Sequence, residues 1–242
     1  MKHLFATLLC LCLPGLATAD EGQDAFVRAN LQAVLFHELG HAIIDVVQLP
    51  VFGQEEDAAD VLSVILINDL FEEDQAQDIT YAAAYGFAAE ADSDSEPAYW
   101  DVHGPDQQRF YTLVCLFYGA NPEARADLAE ELGLPVERAE TCEEEFALAK
   151  DSWGPVLDDL SAQAPGNSMT LAPIAPDLAT RLSADLLRAE VAMLNADFVL
   201  PTPIELRLDT CGHPNVFYDP EAHSITLCRE FEPHLRALWA NY

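Results

Sequence analysis

Apolar positions recur at helical spacing through most of this chain, and they are densest near its start. Leu31, Val34, Leu35, Leu39, Ile43, Ile44 and Val47 would bury one helix on nearly every side. The pattern predicts that helix over 25–48, with Asp24 as its cap and Pro50 marking its end. After a short turn at 51–54, Glu55-Glu56-Asp57-Ala58-Ala59-Asp60 opens a second helix that runs through Val61 and Ile67 toward Phe71. Further helices are predicted over 75–89, 107–118, 122–132, 135–150 and 177–195. The acidic stretch 90–97 and the proline-containing stretch 162–176 read as loops.

Only the end of the chain alternates with period two. Ile204, Leu206 and Leu208 form one such run and Ile225 and Leu227 another, with turn residues at 212–215 and 219–220 between them. The predicted fold class is therefore mainly α (α+β), with a small C-terminal β-sheet. No internal repeat or clear internal boundary interrupts it.

Composition narrows the setting. Lys2 and His3, the apolar run 4–16 and Ala17-Thr18-Ala19 predict a secretory signal over 1–19 and a domain over 20–242. That apolar run is too short for a spanning helix. The chain is expected to be exported, either periplasmic or secreted. It carries 11 basic and 42 acidic side chains, a net charge of −31. So negative a surface repels phosphate backbones and anionic lipid, so nucleic acid and stable membrane insertion are not expected. Cys10 and Cys12 fall in the signal. The remaining four cysteines suggest two disulfides in an exported chain, and of three possible pairings proximity favours Cys115–Cys142 and Cys211–Cys228.

The chemistry lies in the first helix, at His37-Glu38-Leu39-Gly40-His41. Residues four apart share a helix face, so the two imidazoles can grip one Zn²⁺ while Glu38 serves as general base toward water. Titratable side chains on a buried helix are costly unless a metal or hydrogen bonds hold them. Gly40, inside a helix at a cost of about 1 kcal/mol relative to alanine, points to a close packing contact.

A third protein ligand is needed. A metzincin would have Gly at 44 and His at 47, where this chain has Ile44 and Val47. Glu56 and Asp60 share a face of the second helix, so Glu56 can bind the ion and Asp60 can orient a ligand imidazole. Glu55 and Asp57 lie about 100° to either side of Glu56, with Glu55 the alternative ligand. The acidic run also suits a helix N-terminus with no metal at all. For the developing oxyanion, His103, Arg109 and Tyr111 are suitable donors, His103 foremost, unless Arg109 merely pairs with Asp106 or Asp101 in a structural network. His213, His223 and His234 read as surface residues.

The segments His37–His41, Gly53–Asp60, Asp106–Tyr111, Tyr118-Gly119, Cys142, Asn215–Pro220 and Cys228 together resemble a bacterial family of exported metallopeptidases, a domain of unknown function. The resemblance implies a gluzincin-like zinc peptidase on a zincin-like scaffold, acting on peptides or proteins, and it brings no particular substrate. Cys228-Arg229-Glu230-Phe231 departs from the aromatic-Glu-Leu expected after that cysteine. Too few residues precede Asp24 to build the edge strand that zincins place before the active helix, so the C-terminal strands are expected to supply one. A catalytically inactive zinc-binding or interaction protein on the same scaffold is the alternative reading, and oligomeric state is left open.

Overall fold

A buried helix, α1 (Ala17–Val47), forms the spine of the molecule. The structure, a computed structural model, describes residues 17–91, 96–178 and 180–240. The expected signal therefore lies outside the described residues except for Ala17–Ala19, which open α1, and Cys10 and Cys12 lie outside them too. Leu31, Leu35, Phe36 and Ile43 are wholly buried, because α1 is apolar on almost every face. Among the described residues no helix is long and apolar enough to cross a membrane.

α2 (Glu55–Leu70) and α3 (Glu73–Ala91) pack against α1, and α4 (Asp106–Ala120) packs on both of them. A Cβ placed on Gly40 would lie 2.9 Å from the Ala59 Cα. The absence of that carbon lets α1 and α2 approach closely where the two motif helices must meet. α5 (Ala126–Glu131) is a short turn of helix, narrower than the 122–132 predicted. α6 (Val136–Ser161) runs past the predicted end at 150 and through Pro155. Burial of Trp153, Leu157 and Leu160 offsets a proline cost of about 3 kcal/mol.

The sheet contains β1 (Met169–Leu171), β2 (Ile204–Asp209), β3 (Val216–Asp219) and β4 (Ser224–Cys228) in the order β1-β2-β4-β3. β1 and β4 run parallel to β2, whereas β3 pairs antiparallel with β4 and occupies one end of the sheet. α7 (Leu182–Asp197) packs on β1 and β2, and α1 packs on β3 and β4. α8 (Phe231–Ala240) closes the fold against α1 and α3.

Three of these elements were not expected. β1 lies inside the stretch read as a loop, β3 is short and bounded by turn residues, and α8 carries Pro233 in its first turn. Proline is tolerated there because first-turn N–H groups have no helical partner. Cys115–Cys142 ties α4 to α6, and Cys211–Cys228 ties the β2–β3 loop to the end of β4, the pairings that proximity favoured.

Candidate metal centre

Close approach of α1 and α2 brings three side chains to one point. His37 Nε2 and His41 Nε2 lie 3.2 Å apart, and Glu56 Oε2 lies 3.1 Å from the first and 3.2 Å from the second. The opposite ring nitrogens are both occupied by carboxylates. His37 Nδ1 is 2.7 Å from Asp60 Oδ1, and His41 Nδ1 is 2.8 Å from Glu55 Oε1. A carboxylate at Nδ1 accepts a hydrogen bond there and turns Nε2 toward Glu56, so that a metal bound at that point would meet the Nε2 lone pair. Glu55 thus meets the outer nitrogen of His41, while Glu56 meets both inner ones.

The donor set fits a divalent ion. Tetrahedral ligands at about 2.0–2.1 Å from zinc stand about 3.3–3.4 Å apart, close to the triangle of Nε2, Nε2 and Oε2. His103, half-exposed on the loop before α4, brings its Nε2 to 2.9 Å from the same Glu56 oxygen, so His37, Glu56 and His103 form a further metal-capable trio. Cys211, Cys228 and Glu230 also cluster, but their thiols are spent in a disulfide.

The chain belongs to the family described as "Putative metallopeptidase". That family's model matches residues 16–157 and 178–242. No curated protein and no solved structure matches the chain.

The other side chains singled out in this metallopeptidase family member divide clearly. Arg109 is turned to Asp60, with Nε 2.8 Å from Oδ2 and Nη2 2.8 Å from Oδ1, rather than to Asp106 or Asp101. Its guanidinium lies 4.7 Å over the Phe87 ring. Asp106 shares a cavity with Arg109 and His103, whereas Tyr111, partly buried against the core, packs edge-on to Phe110. Two of the three histidines read as surface residues have acidic or hydroxyl partners: His234 Nε2 sits 2.5 Å from Glu90 Oε1, and His223 Nδ1 sits 3.1 Å from the Tyr218 hydroxyl. His213 is exposed.

Tyr218 was not anticipated. Its backbone N–H donates to Glu38 Oε2 over 2.9 Å and its hydroxyl donates to Asp45 Oδ2 over 2.7 Å. Asp45 continues the His37–His41 face one turn further, and that spacing was the available signal.

Burial lowers the His37 pKa, but Asp60 and Glu56 outweigh it and hold the ring up to about 9. Burial pushes Asp60 up, and Arg109 with His37 brings it down to about 2. Glu56 is held well below the ordinary carboxylate range, because hydrogen bonds from His103, His37 and His41 overcome its burial. Glu38 goes the other way. Its burial outweighs the two imidazoles and the Tyr218 amide and raises its pKa.

Proposed function

We propose that this chain is a gluzincin-like zinc peptidase, with His37, His41 and Glu56 as the metal ligands and Glu38 as general base. The observation that carries the reading is the convergence of two Nε2 atoms and one carboxylate oxygen, with both outer ring nitrogens already engaged by acids. A zinc ion held there would polarise the scissile carbonyl and lower the pKa of a water toward about 7. Glu38, its pKa raised by burial, takes a proton from the attacking water and returns it to the leaving amine. The Tyr218 N–H keeps the Glu38 carboxylate aimed.

Asp60 and Glu55 orient the ligand rings, and Arg109, committed to Asp60 through two hydrogen bonds, positions that carboxylate. His103, whose Nε2 meets Glu56 when no metal claims that carboxylate, is the donor assigned to the oxyanion in this reading. β3 favours a peptide substrate: it ends the sheet beside the centre, and with its Tyr218 N–H spent on Glu38 an extended main chain would pair with the other backbone groups of that edge. Two disulfides suit an exported location.

The test uses the zinc-loaded protein on a peptide library. Hydrolysis should be abolished by a chelator and reduced about 10²–10⁴-fold in Glu38→Gln with zinc content unchanged. Glu56→Gln should lose the metal, and His103→Ala should keep it while kcat falls. An undiminished rate in Glu38→Gln, or full zinc occupancy in Glu56→Gln, overturns the assignment.

A further inference from the structure

Two hollows meet at the centre. One is an open trough along α1 and the free edge of β3, walled by Asp45, Glu55, Phe217 and Tyr218. The other runs inward between helices and encloses about 230 Å³. Glu38, His103, Asn215 and Val216 line both, so they mark the mouth through which the trough opens into the cavity. Pockets that hold whole small ligands span about 300–1,000 Å³, so this one is too small for that. An apolar cavity of about 150 Å³ can already hold a benzene ring, so it is ample for one large side chain.

Its inner wall comes from Val64 on α2, Ala83 and Phe87 on α3, Leu113 on α4, and Leu235 and Leu238 on α8. The polar groups that reach it are mostly engaged elsewhere. Asn30 Nδ2 donates to the carbonyls of Phe26 and Ala82, and Ser63 Oγ donates to the Ala33 carbonyl. Glu90 is paired with His234 and Arg109 with Asp60. Asp106 sits on the polar side of the cavity near Arg109 and His103, with its pKa raised by burial. What remains for a ligand is a mostly apolar inner wall beside Glu38, with His103, Asp106 and Thr112 at its polar side.

We propose that this cavity is the specificity subsite, taking one aromatic or branched aliphatic side chain from the residue beside the cleaved bond while the main chain lies along β3. The proposal rests on the peptidase reading above. It makes the substrate class peptides with a large apolar residue at the scissile position, and it assigns the selection to α3, α4 and α8 rather than to the metal ligands. Full burial of such a side chain favours it over alanine by about 10- to 100-fold.

Two measurements separate this proposal from the reading beneath it. In the first, metal-free protein is titrated with the capped amino acids N-acetylphenylalanine amide, N-acetylalanine amide and N-acetyllysine amide, and binding is followed by NMR. The phenylalanine compound should bind at least about tenfold tighter than the other two. Ala83→Leu and Thr112→Leu, which fill the cavity without touching the centre, should each erase the difference. Using two variants guards against one failing to fold, which thermal melting would reveal. A preference for the lysine compound, drawn by Glu90 and Asp106, or no preference, overturns the subsite.

In the second, the zinc-loaded protein cleaves peptides that differ only in the residue beside the scissile bond. Phenylalanine or leucine should exceed alanine in kcat/KM by about tenfold or more, and Ala83→Leu should abolish that preference. Cleavage without preference overturns the subsite alone. Selective binding with no cleavage of any peptide overturns the peptidase reading, and with it the subsite's role in substrate selection.

Discussion

The Tyr218 N–H and the Glu38 carboxylate, 180 residues apart in sequence, are joined by a 2.9 Å hydrogen bond. This bond docks the free edge of β3 onto α1 and leaves the carboxylate with a fixed direction. The Tyr218 hydroxyl makes a second attachment about two turns further along α1, at Asp45.

The two attachments can be separated by substitution. Tyr218→Phe removes only the hydroxyl, while Tyr218→Pro removes the N–H as well, at an edge position where β4 does not use it. Tyr218→Pro should lose about tenfold or more in kcat beyond Tyr218→Phe, since hydrogen bonds to charged groups contribute about 1.5–3 kcal/mol. Zinc content, measured alongside steady-state rates, should be the same in both. Equal kcat values would show that the amide does not orient Glu38.

Gly40 sets the spacing of α1 and α2. In Gly40→Ala the added carbon meets the Ala59 backbone at 2.9 Å, so α1 and α2 must separate. The substitution should weaken zinc binding by about tenfold even though alanine favours a helix by about 1 kcal/mol. Competition with a chromophoric chelator reads the affinity. An unchanged affinity with a higher Tm would mean that helix spacing is not limiting.

Asp60 serves two partners at once, His37 and Arg109. Asp60→Asn should lower zinc affinity by about 10–100-fold through the misoriented imidazole. The metal-free protein should also lose stability, by up to about 3–5 kcal/mol, because the mostly buried Arg109 guanidinium loses the carboxylate it is hydrogen-bonded to. Denaturant unfolding of the metal-free protein checks the second effect separately from the first.

Glu190 predicts a pH dependence remote from the metal. This α7 carboxyl is buried, accepts a 2.7 Å hydrogen bond from Gln32, and is pushed by burial from 4.5 up to about 7. A carboxyl whose folded pKa is raised costs stability as pH climbs from its unfolded value, and the full cost is present above the folded one. Glu190→Gln keeps an oxygen for Gln32 and cannot ionise. It should match the parent near pH 4 and be more stable, by about 2–3 kcal/mol, at pH 8. Thermal melts at the two pH values test this, and an equal Tm at pH 8 would refute it.

Features set by short-range geometry were legible in the chain itself. A turn of 100° per residue puts His37 with His41, and Glu56 with Asp60, on shared faces whatever surrounds them, and an unbroken apolar stripe forces α1 to be buried. The pairing of nearest cysteines followed for a similar reason, since short loops close at small entropic cost. Helix ends were less legible at Pro155, because the burial of Trp153 and Leu157 that carries α6 past it involves partners elsewhere in the chain.

Only the tertiary structure decided which glutamate oxygen faces the paired imidazoles, that Arg109 turns to Asp60 instead of Asp106, and that a four-residue strand near the C-terminus reaches Glu38. None of these has a periodic trace. Each depends on how closely two separately specified elements approach, and that distance is set by packing at contacts such as Gly40 against Ala59, which local sequence pattern does not encode.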